Sequence, residues 1–575
     1  MKDRRMAKLL DEVAAARLDR RQLLRWGGVL GVSAAAAVAL RPPSVRGAST
    51  GSLDLARALP ASQIDATTLV VADNLAKGGL WLTFDPGHFY EINPLAAMNM
   101  VYEALYYLPD PAKPDLFVPM LAAADPEVAE DGRQVTVKLR SGVHFQHTGN
   151  EMTADDWIFS LNRMKNLKGN PAFLVTDYWD SVEAVDSLTL RFLLSTPNPA
   201  LVPILSTPFI TVLDSKAMRE HGATDAEDAD RTDTAQEYLN GNSHGTGPFV
   251  MRQWDVDTEV IIERNPDYWG EAQQLDRIIW RNITSATEQL QAVQIGEADI
   301  AYSVDPDAVE QVKGDPSLQL LTASTLAIEY LAMHNGEEVG GPLANKDVRR
   351  AVAFAVDYDG IISGLLAGSA LRPASIVPLP LPGSEALRDA AYSTDLAKAQ
   401  ETFDAAGVGD VELTLSYGAG EVAFGGVEVE TLAAKIQSDL QQVRGLTVRL
   451  NPMDPNARIA DFRAGKLQFC ISPWGPDYPD VQGYVEPFGR SNTVVAKRVG
   501  YANPEVDRLL DEAMNEGDPA RRAELYGEVQ RRIMDDAPYV VLYQPIDQKP
   551  ARASVVDASA HPFYQLDLRG ASKTE

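Results

Sequence analysis

The chain has 575 residues, of which 45% are hydrophobic and 23% are charged, a balance typical of folded globular proteins. Single hydrophobic cores stop growing at roughly 250–300 residues, so this length predicts more than one domain. The 52 basic and 81 acidic residues give a net charge of -29. This charge would repel nucleic-acid phosphates and anionic lipid headgroups, which argues against both as partners.

The N-terminus has the pattern of an export signal. Arg20 and Arg21 lie in a segment that resembles the twin-arginine signal, and a mildly apolar stretch, residues 26–40, follows them. That stretch is too short for a transmembrane helix but suits a signal-peptide core. We therefore predict a signal peptide over residues 1–47 and a polar linker over 48–64. Because no cysteine follows the apolar stretch, we expect no lipid anchor and a soluble periplasmic protein.

Strand and helix patterns alternate beyond the linker, which predicts an α/β architecture. Val135, Val137 and Leu139 alternate with polar residues, as in a half-buried strand. Thr153 precedes Asp156 by three positions. This spacing is that of a capping box and predicts a helix that begins directly after the threonine.

Helices of the second half have clear end signals. Asp395 is the expected cap of a helix that ends at Gly407, and two more helices are predicted after Asn503 and Asp518, each of which precedes a proline. Their apolar residues recur at helical spacing, which indicates core faces. The acidic stretch Asp225–Glu237 is instead typical of a solvated loop or an exposed helix.

The sequence lacks the motifs of the common enzyme classes. It contains no nucleophile elbow, phosphate-binding loop, dinucleotide fingerprint or zinc-protease helix. The seven histidines are scattered, and only His144 and His147 lie close together. Cys470 is the single cysteine and lies in an apolar run, where a buried small side chain is expected. We therefore predict no catalysis, no cofactor and no metal site.

A series of short motifs runs in order along the chain from residue 84. They are Phe84–Pro86, Val101–Leu105, Val118–Ala122, Glu130–Phe145, Met152–Trp157, Gly245–Phe249, Glu263–Trp269, Asp347–Asp357, Asn503–Asp507 and Asp536–Val540. Each motif is weak by itself. The ordered set resembles the family-5 extracellular solute-binding proteins, the peptide, opine and nickel class of ABC importers.

The resemblance implies a fold of two α/β lobes joined by a hinge, the periplasmic-binding-protein clamshell, with an extra subdomain inserted in the first lobe. A ligand would be enclosed between the lobes as they close. The boundaries implied are 65–92, 241–325 and 541–575 for the core of lobe I, 93–240 for its inserted subdomain, and 326–540 for lobe II.

The resemblance also implies a ligand-contacting loop. In peptide-binding relatives an aspartate after a tryptophan-containing loop pairs with the α-amino group of the ligand, and Asp477 and Trp474 occupy the matching places. A turn-forming role for Asp477, which lies between prolines, is the alternative. No arginine matches one that would bind a ligand carboxylate. The further cleft candidates are Tyr478, Phe89, Tyr90 and Glu91, with Tyr330 and Asn335 at the hinge.

The implied function is capture of a small solute, a peptide or another amine-bearing compound, and its delivery to the permease subunits of an ABC transporter. Opines, other amines and modified sugars remain open as ligands. An exported hydrolase or lyase on the same scaffold, and a nickel carrier, are the alternatives. The expected partners are the solute, the permease and the twin-arginine export machinery, and the protein is expected to be a monomer.

Overall fold

The computed structural model describes residues 66–75 and 81–574. The predicted signal peptide with Arg20 and Arg21, and the predicted linker, lie outside the described residues. Strands and helices alternate along the described chain, as the sequence predicts. Within these ranges, no helix has both the length and the apolar character needed to cross a membrane.

One long strand, Tyr539–Arg552, connects the two halves of a 12-stranded sheet. Its first part pairs with Ile328–Met333 and its second part with Leu318–Ser324, both antiparallel. The last strand of the sheet, Ala370–Leu371, also pairs with it. Apart from Leu318–Ser324 and Ala370–Leu371, the strands of the sheet follow the order Leu446–Met453, Val411–Gly418, Phe469–Trp474, Ile328–Met333, Tyr539–Arg552, Ile300–Ala301, Thr68–Asp73, Arg277–Asn282, Glu259–Arg264 and Phe249–Asp255.

Apolar packing divides the described chain into two lobes. The core of the first lobe collects side chains between residues 69 and 323 and between 551 and 571, and Tyr478 joins them. The core of the second lobe consists of two clusters between residues 326 and 543. Each lobe thus buries its own apolar surface, and the long shared strand passes from one core to the other. This is the two-lobed α/β clamshell that the sequence predicts.

The first lobe carries a separate four-stranded sheet. Its order is Glu127–Val128, Gln134–Lys138, Thr189–Leu193 and Ser181–Asp186. Val135 and Val137 are buried while their neighbours are not, which confirms the predicted half-buried strand. The backbone N–H of Thr153 donates to the Asp156 carboxylate at 2.9 Å, so the predicted capping box is present. It begins the helix Ala154–Leu167.

The capping signals of the second half are also confirmed. Asp395 accepts from the backbone N–H of Lys398 at 2.9 Å, and the helix it caps ends at Gly407, where φ is 66°. The α-helices of the described residues are Leu95–Val101, Ala154–Leu167, Phe173–Thr176, Leu201–Ile204, Ser215–Glu220, Ala229–Thr232, Gln236–Gly241, Ala286–Ile295, Val309–Gly314, Glu337–Gly340, Lys346–Ala355, Leu396–Ala406, Val429–Leu440, Pro455–Arg463, Gln482–Gly489, Val494–Arg498, Pro504–Met514 and Pro519–Asp536.

Short elements complete the fold. The paired short strands are Tyr106–Tyr107 with Val118–Pro119, Ser559–His561 with Gln565–Asp567, and Val555–Val556 with Ser572–Lys573. Short 3-10 helices are Asn170–Ala172, Pro306–Ala308, Gly341–Ala344 and Glu385–Ala390, and Gly360–Leu365 is a π-helix.

Three of the sequence motifs meet at one buried carboxylate, that of Glu103. It accepts hydrogen bonds from the Thr246 hydroxyl at 2.9 Å, the Tyr268 hydroxyl at 2.7 Å and the Trp269 indole at 2.9 Å. Arg569 pairs with it at 3.2 Å. A buried charge is tolerated only with such partners, so these motif residues are explained by the architecture of the first lobe rather than by a ligand.

A second buried network corrects one expectation. The Arg163 guanidinium contacts the Asp85 carboxylate at 2.6 and 2.7 Å and the Asp233 carboxylate at 2.7 and 3.0 Å, and all three side chains are buried. Asp233 lies in the stretch Asp225–Glu237, so the prediction of a solvated segment is wrong at this position. One carboxylate of this acidic stretch therefore neutralises a buried arginine that is distant in sequence.

Candidate functional site

The loop after the strand Phe469–Trp474 contains two aspartates with different roles. Asp480 accepts from the backbone N–H of Gln482 at 2.8 Å and pairs with Arg522 at 3.0 Å, so it organises the turn into the next helix. Asp477 makes neither kind of contact. Among the described residues, its side chain bonds only the hydroxyl of Tyr90. The turn role that the sequence left open for Asp477 therefore belongs to Asp480.

The Tyr90–Asp477 hydrogen bond crosses between the lobes. Tyr90 packs among first-lobe aromatics, edge-on to Phe173 at 5.6 Å and tilted against Phe209 at 5.3 Å between ring centroids. Burial raises the pKa of Asp477 to about 6, although the hydrogen bond from Tyr90 opposes this shift. Burial and the nearby Asp477 charge also raise the pKa of Tyr90, which stays a donor. The carboxylate is thus ionised at neutral pH but poorly solvated.

Two cavities meet at this hydrogen bond. The first cavity has a volume of about 350 Å³ and lies between the long shared strand, the Phe424–Gly426 loop and first-lobe residues. The second cavity is wider, about 1390 Å³, and opens between the 173–198 region and the helices after residue 481. Tyr90, Gly475 and Asp477 line both cavities. A ligand in either one would therefore face the Asp477 carboxylate.

The first cavity has an excess of negative charge. Its lysine, Lys549, is 1% exposed, pairs with Asp547 at 2.9 Å and lies 3.8 Å from the centre of the Tyr302 ring. Together Lys549 and Asp547 carry no net charge, so the negative charge of Asp477 in the first cavity is not neutralised by this lysine. A site of this kind attracts a cationic group, and the size of the cavity is within the range of small-molecule sites.

The second cavity contains three arginines, and only one is neutralised. Arg490 pairs with Glu486 at 2.5 Å and with Asp511 at 2.8 Å. Arg463 and Arg498 line the same cavity, and neither guanidinium contacts a carboxylate of the described residues. Arg498 lies over the Phe462 ring at 5.4 Å. The cavity thus contains two cations without a carboxylate partner among the described residues, together with the carboxylates of Asp477, Asp177 and Asp180.

The predicted site residues divide into two groups. Tyr90, Trp474, Asp477 and Tyr478 line a cavity, and Trp474 donates its indole N–H to the Gly483 carbonyl at 3.3 Å. Tyr478 is 2% exposed and reaches into the first-lobe core, where its ring is edge-on to that of Tyr178 at 5.4 Å.

The other four predicted residues line neither cavity. Phe89 and Tyr330 are 0% exposed and pack in cores, against Phe209 at 5.5 Å and Phe488 at 5.2 Å. Asn335 donates to the carbonyls of Met333 and Val499 at 2.9 and 3.2 Å. The Glu91 carboxylate accepts the backbone N–H of Tyr90 at 3.1 Å, and burial raises its pKa. These contacts are structural, and a ligand contact by any of the four stays an untested prediction.

Sequence reasoning missed the loop Phe424–Gly426, which forms a wall of the first cavity. Gly425 and Gly426 have φ of 90° and 88°, a region that other residues rarely adopt. The paired glycines were a usable signal for a special loop. Glu329, which is 1% exposed, accepts from the Phe424 backbone N–H at 3.4 Å, and burial raises its pKa to about 8.

Comparison with known proteins gives the same fold. A "Probable D,D-dipeptide-binding periplasmic protein DdpA" of Escherichia coli (strain K12) is 26% identical over 467 residues, 80% of this chain and 86% of that protein. "Heme-binding protein A" of Haemophilus influenzae is 27% identical over 463 residues, 76% of this chain and 81% of that protein. The structure of Helicobacter pylori DppA in complex with peptide STSA superposes with a TM-score of 0.70 at 23% identity, covering 87% of this chain and 98% of that one.

The sequence model described as "Bacterial extracellular solute-binding proteins, family 5 Middle" matches residues 117–494. This region is well over half of the 575 residues and includes the aspartate-bearing loop, the glycine loop and two of the three arginines of the second cavity, Arg463 and Arg490. The chain therefore belongs to family 5 of the bacterial extracellular solute-binding proteins.

Proposed function

We propose that the protein captures a small solute with an amino group, a peptide or a related amine, and delivers it to the permease subunits of an ABC importer. The observation that carries this proposal is Asp477, a poorly solvated carboxylate between two cavities with no cation beside it among the described residues. An ammonium enclosed by protein needs such a carboxylate, because an unpaired buried charge is expensive.

The ligands named for similar proteins agree with this proposal only in part. D,D-dipeptides and the peptide STSA bear amino groups, whereas heme does not. Similarity within the family therefore leaves the ligand class open, and the Asp477 carboxylate is what favours an amine. Opines with a free amine meet the same requirement, and a neutral sugar does not.

Capture would occur by closure of the lobes. The Tyr90–Asp477 hydrogen bond already spans them, and a ligand ammonium at Asp477 would add a second bond from the same carboxylate. We retain as our proposal the domain boundaries that the sequence suggests. A ligand that contacts both lobes shifts the population toward the closed state. Small-angle scattering would then give a smaller radius of gyration at saturation, and an unchanged radius would contradict closure.

Export would depend on the paired arginines at positions 20 and 21. We propose that they direct the folded chain through the twin-arginine machinery to the periplasm, where the protein acts as a monomer. Replacing Arg20 and Arg21 with lysine should leave the protein in the cytoplasm. Undiminished export of the double variant would remove this part of the proposal.

The proposed amine site is tested by the solute that purified protein retains. Mass spectrometry of the denatured protein should detect an amine-bearing compound, intact rather than converted. Asp477→Asn should purify empty, while the control Asp180→Asn, which removes an exposed carboxylate from the second cavity, should stay loaded. A loaded Asp477→Asn variant would overturn the assignment. Turnover of the solute would indicate a hydrolase or lyase. A rise in the melting temperature of the protein on addition of nickel would indicate a metal carrier.

A further inference from the structure

The glycine loop Phe424–Gly426 is the tip of a short hairpin, residues 422–428, that reaches from the second lobe to the first. The hairpin closes through backbone hydrogen bonds of its own. A Cβ atom added at Gly426 would lie 3.3 Å from Cδ of Pro306, a first-lobe residue that also lines the first cavity. The tip of the hairpin therefore lies against the opposite lobe and closes one side of the first cavity.

One side chain anchors this hairpin to the region between the lobes. Among the described residues, the only side chain that hydrogen-bonds the hairpin is Glu329, which accepts the backbone N–H of Phe424 at 3.4 Å. Glu329 belongs to the strand Ile328–Met333, which pairs with the long shared strand Tyr539–Arg552. The hairpin is thus tied to the part of the sheet that passes from one lobe to the other.

No cation neutralises the Glu329 carboxyl group, which is 1% exposed and forms no ion pair within the described ranges. The nearby Arg458 is occupied, because it pairs with Glu421 at 3.1 Å. In the neighbouring strands, Tyr543 and Pro473 lie opposite Glu329, and neither brings a positive charge. Burial raises the pKa of Glu329 to about 8, so the side chain is protonated and neutral at pH 7.

We infer that Glu329 is a positioning residue: its carboxyl group holds the hairpin across the first cavity and so sets how tightly that cavity retains its solute. The part about retention rests on the proposed function, whereas the contact with the hairpin needs no solute. A neutral carboxyl group accepts the Phe424 N–H without burying a charge. An ionised group would need water, which reaches it when the hairpin moves away.

The pH dependence of the hairpin has a definite sign. The Glu329 carboxyl group binds its proton more tightly under the closed hairpin than in water, where its ordinary pKa is 4.5. The closed hairpin is therefore favoured at low pH, and this advantage is lost as pH rises from about 4.5 to about 8. Between pH 6 and pH 8, the equilibrium should shift toward the open hairpin by up to roughly fiftyfold.

Hydrogen exchange tests the contact without a solute. In the wild type, protection of the amides of residues 422–428, corrected for the intrinsic exchange rate, should fall at least about tenfold between pH 6 and pH 8. Glu329→Gln is neutral and has the same shape, so its protection should not change with pH. The control is Glu428→Gln, which removes an exposed carboxylate from the same hairpin and should behave as the wild type does.

Three results would overturn the inference. The first is an equal fall of protection in the wild type and Glu329→Gln. The second is a parallel fall in the strand Val411–Gly418, which would show that the second lobe unfolds as a whole and that Glu329 has only a structural role. The third is constant protection of the wild-type hairpin, which decides the question even if Glu329→Gln fails to fold.

A second measurement links the hairpin to retention of the solute. The probe is a mixture of dipeptides, titrated by thermal shift at pH 6.5 and pH 8.5. The half-saturating concentration should rise with pH several times more in the wild type and Glu428→Gln than in Glu329→Gln, because loss of the proton from the peptide amine affects all three alike. An equal rise in all three would contradict the role in retention. If the mixture stabilises none of them, the proposed peptide solute is wrong, and hydrogen exchange alone decides the role of Glu329.

Discussion

Asp477→Asn should make the empty protein more stable at neutral pH, although it weakens solute binding. The folded protein holds a proton on Asp477 with a pKa of about 6, against 3.8 for the free side chain. Each pKa unit corresponds to about 1.4 kcal/mol, so ionising Asp477 costs the folded state up to about 3 kcal/mol at pH 7. The carboxylate is partly exposed to the cavities, and solvent screening reduces this to roughly 1–2 kcal/mol.

The pH dependence follows from the direction of the shift. The pKa of Asp477 is raised in the folded state, so the protonated side chain stabilises the folded protein relative to the unfolded chain. This stabilisation is lost as pH rises from about 4 to about 6. Asparagine cannot ionise. The variant and the wild type should therefore melt alike near pH 4, and the variant should melt several degrees higher at pH 7.

Affinity should change in the opposite direction. Removing one partner of a buried, hydrogen-bonded charge pair costs about 2–5 kcal/mol of binding free energy, which lowers the affinity roughly thirty-fold to several-thousand-fold. The change in stability is measured by differential scanning fluorimetry across pH. The change in affinity is measured by calorimetric titration with the solute recovered from the protein. The control for both is Asp180→Asn, which removes an exposed carboxylate. If Asp477→Asn melts earlier at pH 7, its carboxylate is structural; if it also binds normally, the reasoning fails entirely.

Three further predictions follow from the same contacts. Tyr90→Phe removes the donor to Asp477 and should destabilise the empty protein by about 1–3 kcal/mol and enlarge its radius of gyration; an unchanged radius would contradict the role of this bond in closure. Solute affinity should fall as pH drops below about 6, because Asp477 then becomes protonated. Binding should release protons, which calorimetry in buffers of different ionisation enthalpy would detect. An affinity that does not change with pH would argue against an ionised Asp477. Arg163→Gln leaves the buried carboxylates of Asp85 and Asp233 unneutralised and should cost about 3–5 kcal/mol in urea unfolding; a loss under 1 kcal/mol, about that of a surface pair, would contradict the network.

The candidate site was only partly predictable. The loop with Trp474 and Asp477 was identified through its resemblance to a family, and Tyr90 through its position after the Asp85-Pro86 motif. The hydrogen bond between Tyr90 and Asp477, 387 residues apart, had no local signal. The same limit applies to Tyr330, because a tyrosine next to a hinge and a tyrosine in a core have the same sequence pattern.

By itself, the sequence determined the local features of the fold, which depend on interactions between residues close together in the chain. Helix ends at Thr153, Asp395 and Gly407 were predictable because caps act within a few residues, and the half-buried strand followed from a two-residue period. Which charges are neutralised was decided only by tertiary structure. Asp233 has a buried partner, whereas Arg463 has none within the part of the chain that the structure describes, although both occur in polar segments. Ion pairing depends on separations of a few ångströms between residues far apart in the chain, and only the folded arrangement of the two lobes sets those separations.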